Sequence, residues 1–308
     1  MAGQLWVTDS LGGYLNFPEL SAKLRKQAQP SMRFRQFLDA KEAYGKRKDE
    51  LFVFDKQANV NASGGTLVET QTIPKTYITF TQGTGTLTEL GNAIPFTQKL
   101  EAFSKWDPKN KLQTALRDDM AKVVDQQVEA QFDACKIRME YVADTASIGV
   151  DTAGTPDETA SFNLDDFAVK EVIDYLTGTM YAKPYDDAGN YMCIGSTKAM
   201  RGLHDHLEAI WKYTKYVQSG EIGRYYDCRF VRHTHSSLDN AIGNSNVTGE
   251  AYFFGEDNVM EAVSIPEEIR YDSEDFGRSK AVAWYMIAGW QIVWSGDPSN
   301  TIIKWDSA

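Results

Sequence analysis

The strongest structural signal in this chain is DPKNKLQTALRDDMAKVVDQQVEAQFDACKIRMEY, which spans residues 107–141. Asp107 is a good N-cap, and Pro108 stands at the first helical position, where its missing N–H costs nothing. Apolar residues then recur at spacings of three and four: Leu112, Leu116, Met120, Val123, Val124, Val128, Phe132, Cys135 and Met139. This pattern predicts one helix of about 50 Å if it continues to Tyr141. A coiled coil is disfavoured because strand-like segments flank the helix.

Upstream, residues 50–103 are rich in strand-forming residues. They contain LFVF at 51–54, NASGG at 61–65, and nine Thr from Thr66 to Thr88. Thr favours pleated backbone, and the two glycines supply the positive φ that a hairpin turn demands. Neither face of residues 66–73 is continuously apolar. We therefore predict an extended hairpin that needs a partner to be stable.

The first 48 residues have no sustained apolar face. Two short helical pieces, 18–27 and 32–43, are separated by Gln29 and Pro30. The segment is rich in basic residues: Lys23, Arg25, Lys26, Arg33, Arg35, Lys46, Arg47 and Lys48. This pattern predicts an arm that lies across another surface. A frayed terminus is the alternative.

Downstream of the helix, the polar stretch 149–163 (GVDTAGTPDETASFN) predicts a boundary between subdomains. An α/β order follows, with a helix over 164–181 capped by Asn163, a short buried strand at 191–194, and a second helix over 196–218. The remaining chain is strand-rich, and its predicted strands are 251–255, 259–265, 280–294 and 302–305.

Composition describes an ordinary globular protein, with 42% hydrophobic and 24% charged residues among 308. Three cysteines without CxxC spacing argue against a disulfide framework and a zinc ribbon, and they favour a reducing, cytosolic origin. No secretory signal is expected at the N-terminus. The longest apolar run, 281–294, is interrupted by Gly289 and Gln291, and it is shorter than the roughly 20 residues of a membrane-spanning helix.

The net charge of −11 is unevenly distributed. Residues 1–50 hold nine Lys/Arg against six Asp/Glu, so the remainder carries a net −14. A sequence-specific DNA reader would need clustered Lys/Arg on its docking face, so this distribution disfavours that class. An acidic body suits a protein that coexists with DNA without adhering to it, although an ordinary acidic protein would look the same.

One group of residues could bind a metal, because the four histidines form two HxH pairs. They are His204, His206, His233 and His235. On a helix, however, residues two apart point about 200° away from each other, which separates His204 from His206. We therefore predict no metal site, and a zinc-dependent hydrolase built on these histidines is the least favoured alternative.

Other catalytic patterns are also missing from the sequence. Each pair of adjacent acids would diverge on a helix or serve a turn: Asp118-Asp119, Asp165-Asp166 and Asp186-Asp187. No GxGxxG, GxxxxGK[ST] or GxSxG motif occurs. We therefore predict a non-enzymatic protein with no catalytic residue and no cofactor.

The order of these segments resembles the major capsid fold of tailed phages, the Hong Kong ninety-seven type. Three stretches resemble the family locally: TLTELGNAIPFTQKLEAFSKWDPKNKLQTAL (86–116), similar to podophage capsid proteins, GEIGRYYDCRFVRHTH (220–235) and AYFFGEDNVMEAV (251–263). The resemblance implies an α+β fold with an N-terminal arm, an extended hairpin (E-loop), a long spine helix, a P-domain β-sheet and an α/β A-domain. The expected divisions are 1–48 for the arm, 49–104 for the hairpin, 105–163 for the P-domain with the spine helix, 164–250 for the A-domain, and 251–308 for the return to P-domain strands.

The resemblance also implies a function. Copies of the chain would assemble through pentamers and hexamers into an icosahedral shell around packaged double-stranded DNA, without sequence-specific DNA binding. A portal protein is the other implied partner, with a scaffold or a decoration protein as optional additions, and no membrane is involved. The implied location is the virion, after assembly in the host cytoplasm. Another phage structural protein, such as a tail or portal component, is the alternative.

Overall fold

A computed structural model describes residues 32–38, 40–43, 50–58, 64–69, 72–104, 107–142, 147–154, 164–203, 221–234, 249–294 and 301–306. The helices are α1 (Gln98–Phe103), α2 (Pro108–Asp133) and α3 (Asp166–Gly178). The strands are β1 (Ala40–Ala43), β2 (Leu51–Gln57), β3 (Phe80–Thr86), β4 (Thr88–Thr97), β5 (Arg138–Tyr141), β6 (Ile148–Asp151), β7 (Tyr191–Ser196), β8 (Glu221–Tyr225), β9 (Cys228–His233), β10 (Glu250–Phe254), β11 (Val259–Glu274), β12 (Ser279–Ile292) and β13 (Ile302–Asp306). Short 3-10 turns cover Phe34–Phe37, Ala199–Leu203 and Asp275–Gly277.

The strands form three sheets. A four-stranded sheet has the order β1-β11-β12-β4, and a seven-stranded sheet has the order β6-β5-β13-β10-β7-β9-β8. Strands β2 and β3 form a separate two-stranded hairpin. No helix in the described part of the chain is long and apolar enough to cross a membrane.

Helix α2 begins as predicted, because Oδ1 of Asp107 accepts a hydrogen bond from the backbone N–H of Lys109 at 3.1 Å. It ends at Asp133, however, so its 26 residues span about 39 Å and the prediction that it continues to Tyr141 is wrong. Residues 138–141 form β5 instead, which pairs with β13 and β6. Ile137, Met139 and Tyr141 alternate onto one buried face, and this period of two prevails because neighbouring strands are available to pair.

One core lies between α2, the four-stranded sheet and one face of the seven-stranded sheet. Leu116 of the helix and Val282 and Met286 of β12 belong to it. Val128 and Phe132 are fully buried, as predicted from the apolar stripe, and the Phe132 ring lies 5.1 Å from that of Phe254. The helix therefore buries one stripe against both sheets.

The opposite face of the seven-stranded sheet is covered by α3. Along β10, Tyr252 and Phe254 belong to the α2 core, whereas Ala251 and Phe253 belong to the α3 core. A strand buried on both faces is apolar at consecutive positions, which explains the AYFF sequence. The helix predicted over 164–181 is shorter, and its N-cap is Asp165, whose side chain accepts from the Ala168 N–H, rather than Asn163, which lies outside the described residues.

The N-terminal segment differs from its prediction. Where a helix was predicted over 32–43, Phe34–Phe37 form a 3-10 turn and Ala40–Ala43 form β1, which pairs in parallel with β11. Phe34 and Phe37 are fully buried, so this part of the arm belongs to the main core. Phe34 lies 5.3 Å from Phe132, centroid to centroid. The predicted helix over 18–27 lies outside the described residues.

The hairpin also differs from its prediction. Its register pairs Leu51 with Thr86 and Gln57 with Phe80, so a long connection rather than the NASGG turn joins the strands. Residues 66–69 and 72–79 are not strands, and β4 lies in the four-stranded sheet against β12. The second predicted helix, over 196–218, is a 3-10 turn at Ala199–Leu203 where the structure describes it.

Candidate functional site

The hairpin is anchored at its base. Phe52 is fully buried beside Met260 and Ala262 of β11. Its ring lies across Gly85, where an added Cβ would come within 2.2 Å of the ring, so glycine is required at this position. The base of the hairpin is therefore fixed to the four-stranded sheet.

Beyond this base, the hairpin exposes apolar side chains. Tyr77 is 85% exposed, and a series of other large residues is about half exposed or more: Leu51, Val53, Leu67, Val68, Ile73, Ile78 and Phe80. Exposed apolar side chains concentrated in one segment favour an interaction site. A two-stranded hairpin is also marginally stable alone, so both observations favour burial against another chain.

A second exposed element is the turn between β11 and β12, called here the distal turn (Asp275–Gly277). Asp275 and Phe276 have φ of 50° and 54°, and Gly277 has φ of 90°. Left-handed backbone is strained for a bulky residue such as Phe. The Phe276 side chain is nevertheless fully exposed, at 106%. A strained turn that presents an unburied ring is typical of a contact site.

A cleft of about 500 Å³ opens beside the hairpin base. Its lining residues are Asp55, Lys56, Gln57, Ala58, Met180, Tyr181, Ala182, Lys183, Glu256, Asp257, Val293, Trp294 and Thr301. Lys56 fixes one wall, because its Nζ donates to the Val293 carbonyl at 3.0 Å and lies 5.3 Å from the centre of the Trp294 ring. On the opposite wall, Tyr181 and Asp257 have left-handed backbone, with φ of 52° and 56°. The cleft therefore has two preformed walls.

Charged groups are buried where α2 meets the seven-stranded sheet. Asp125 contacts His233 of β9, and Lys304 of β13 lies 2.6 Å from Asp133 and 3.0 Å from Glu250. Burial and the Glu250 carboxylate raise the pKa of Tyr252 well above its ordinary value. The residues involved are structural, because they join the helix to the sheet and do not line the cleft.

Of the four histidines considered as metal ligands, one lies within the described part of the chain. His233 is buried, with Nε2 2.7 Å from Asp125 Oδ2, and His204, His206 and His235 lie outside the described residues. Within the described ranges, no group of His, Cys, Asp or Glu could hold a metal ion. Cys193 and Cys228 are buried on neighbouring strands, and burial, reinforced by the Cys228 thiol, raises the pKa of Cys193.

The paired acids have structural roles. Asp165 caps α3 and accepts from the Tyr141 hydroxyl at 2.6 Å. Asp119 accepts from the Trp284 indole N–H at 2.9 Å, which ties α2 to β12. Asp186 accepts from both the backbone and the side chain of Asn190 in a turn.

Sequence reasoning missed the contacts of Asp125. The available signal was a second stripe, since Asp125, Glu129 and Asp133 recur every four residues beside the apolar stripe of α2. Acids at helical spacing are usually solvated, so nothing local distinguished these from exposed residues.

Comparisons with solved structures cover nearly the whole chain. The capsid of Ralstonia phage GP4 matches with a TM-score of 0.70 at 12% identity, over 98% of each chain. The capsid of cyanophage P-SCSP1u matches with 0.65 at 11% identity, over 96% of this chain and 94% of that one. The capsid of the native GTA particle matches with 0.59 at 16% identity, over 100% of both. No protein-family model and no curated protein matches the sequence. The chain therefore has the phage capsid fold of the Hong Kong ninety-seven type, which confirms the expected α+β class.

Proposed function

We propose that this chain is the major capsid protein of a tailed bacteriophage. Copies of it assemble through pentamers and hexamers into an icosahedral shell that encloses packaged double-stranded DNA. The protein is structural rather than enzymatic, and it resides in the virion after assembly in the host cytoplasm. A portal protein is a further partner, with a scaffold or a decoration protein as optional additions.

The observation that carries this proposal is the end-to-end match to capsid structures together with an anchored hairpin that exposes apolar residues. Ile73, Tyr77 and Phe80 are exposed, and in the described part of the hairpin the buried cluster lies at its base, around Phe52. Such side chains are suited to burial between subunits, as the heterologous contacts of a closed ring require.

The charge distribution favours a protein that encloses DNA without binding it tightly or sequence-specifically. A net charge of −11 keeps the body of the protein from adhering to phosphates, since strong DNA binding depends on many Lys and Arg contacts. We propose that the shell confines DNA without reading its sequence. The division into arm 1–48, hairpin 49–104, P-domain 105–163 and 251–308, and A-domain 164–250 is part of the same proposal.

The test uses the full chain and a matched variant. We expect the expressed protein to form closed particles or capsomers in electron micrographs and in size-exclusion chromatography. Replacing residues 59–78 by Asn-Gly keeps the β2–β3 ladder and removes most of the exposed apolar surface. This variant should melt like the parent and assemble poorly.

Two results would contradict the proposal. One is a wild-type chain that stays monomeric at every concentration and salt tested. The other is a shortened chain that unfolds, because the connection would then belong to the core of the subunit. Tubes or rings without closed shells would instead favour a tail or portal component.

A further inference from the structure

The free edge of strand β2 opens into the cleft at the hairpin base. The backbone hydrogen bonds Leu87 N to Glu50 O and Ala58 N to Thr79 O set the register of the β2–β3 ladder. In an antiparallel ladder, alternate residues point their N–H and C=O groups away from the partner strand. Val53, Asp55 and Gln57 therefore direct their backbone groups to the outer edge, where the described part of the chain gives them no backbone partner.

The lining of the cleft agrees with this geometry. Four consecutive residues, 55–58, line it. One face of a strand contributes only alternate residues, so a consecutive run means that the strand presents its backbone edge. Unpaired edges are sites where another strand adds to a sheet.

A segment suited to this edge occurs in the same chain. No hydrogen bond joins residues 72–78 to another residue among those described, and Ile73 and Tyr77 are 66% and 85% exposed. The segment cannot reach the edge within its own subunit without crossing β2, because the next residue, Thr79, is held on the paired side by Ala58. The occupant is therefore a second copy.

We propose that residues 72–78 of one subunit add as an antiparallel strand to the outer edge of β2 in a neighbouring subunit. The inference rests on the proposed shell function, and it names the backbone contact through which the hairpin engages its neighbour. It converts a marginal two-stranded hairpin into a three-stranded sheet that spans two chains.

Proline sets the register of this addition. Pro74 has no N–H, so it must point away from β2, and Ile73, Lys75 and Tyr77 then point towards it. Pairing these three residues with Gln57, Asp55 and Val53, the outward-facing residues of β2, places Lys75 directly opposite Asp55. Opposite charges at facing positions stabilise a strand pair. The cleft lining also holds Glu256 and Asp257, balanced in part by Lys183, whose Nζ lies 3.9 Å from Glu256 Oε2.

The first test traps the contact in assembled particles. Particles are formed from a mixture of ¹⁵N-labelled and unlabelled wild-type chains, treated with a carbodiimide, and analysed by mass spectrometry. We expect Lys75 to be joined to Asp55 in peptide pairs that combine a labelled and an unlabelled chain. Cross-links confined to single chains, or none at this pair, would overturn the inference.

The second test reverses the charges. Asp55 and Lys75 are both exposed, and the hydrogen bond from Gln82 that Asp55→Lys removes is exposed too, so Asp55→Lys and Lys75→Asp should melt close to the wild type. Each single variant should lose particle yield, and the double variant should regain it. Single variants that assemble like the wild type, or a double variant that is not rescued, would contradict the pairing.

The two proposals fail in different ways. If wild-type chains form no particles, both the shell function and this contact are ruled out. Wild-type particles without the Lys75–Asp55 cross-link would remove only the contact.

Discussion

His233 Nε2 lies 2.7 Å from Oδ2 of Asp125, and this buried pair joins β9 to α2 across 108 residues of sequence. The other carboxylate oxygen, Oδ1, accepts the backbone N–H of Phe34 at 2.8 Å. One side chain thus holds together the helix, the seven-stranded sheet and the N-terminal segment. The Phe34 ring covers the imidazole at 4.8 Å, which keeps water from the pair.

Removing this carboxylate should be costly. In Asp125→Ala, the His233 ring and the Phe34 N–H both lose their Asp125 acceptor, and each lost buried acceptor costs about 1–3 kcal/mol. We expect the free energy of unfolding, from denaturant titration of the unassembled subunit, to fall by about 3 kcal/mol. Gln126→Ala, at an exposed position on the same helix, is the control, and a comparable loss there would show that the effect is not specific to the pair.

Phe132→Ala tests the main core. The ring is fully buried and lies 6.0 Å from Tyr252 and 5.1 Å from Phe254, so its removal leaves a cavity. We expect the free energy of unfolding to fall by about 3–5 kcal/mol. Phe167→Ala, on the partly exposed first turn of α3, should lose less than about 1 kcal/mol. Equal losses in the two variants would mean that Phe132 does not pack as the structure places it.

Phe276→Asn should separate stability from assembly. Asn tolerates left-handed backbone better than Phe, and the exposed ring contributes no packing within the subunit. We therefore expect the melting temperature to stay the same or rise, while particle yield falls. Tyr226→Asn, at another exposed left-handed aromatic (φ 44°), is the control for particle yield; it also removes the hydrogen bond from the Tyr226 hydroxyl to Asp174, so its melting temperature is not expected to rise. Normal particle yield from Phe276→Asn would show that the distal turn is not a contact.

The shifted pKa of Asp186 should make the stability of the folded protein depend on pH under acidic conditions. Burial raises the pKa of Asp186, but hydrogen bonds from Asn190 and from the Ala188 N–H, together with the positive charge of Arg229, outweigh burial, so the pKa is lowered overall. A carboxyl group whose pKa is lower in the folded than in the unfolded state stabilises the folded protein. Its contribution is complete above the unfolded pKa of about 3.9, and it is lost as the pH falls through the folded pKa.

The variant Asp186→Asn isolates this effect. The stability difference between wild type and Asp186→Asn, measured by thermal melting, should be largest at pH 5 and above and should shrink towards pH 2. Asp187→Asn removes the same charge at the neighbouring exposed position without touching Asn190, and it should cost less at pH 6. A difference that grows as pH falls would contradict the sign of the shift.

Local signals predicted the elements that depend on neighbouring residues in sequence. The Asp107 cap and Pro108 marked the start of α2 correctly, and the apolar runs at 251–255 and 302–305 are strands. The apolar stripe of α2 also indicated correctly that Phe132 is buried. The end of α2 was beyond such reasoning, because Cys135 and Met139 fit a helical spacing while Ile137, Met139 and Tyr141 fit a strand.

The sequence by itself determined where the long helix starts, which segments prefer strand, and that the order of segments resembles a phage capsid protein. Caps, periodicity and β-branched residues act over a few positions, so they can be read locally. Only the tertiary structure decided that β4 pairs with β12, that Phe34 enters the main core, and that Asp125 meets His233. These contacts join residues about 90–200 positions apart, and their free energy comes from burial and pairing that exist only when the distant partner is in place.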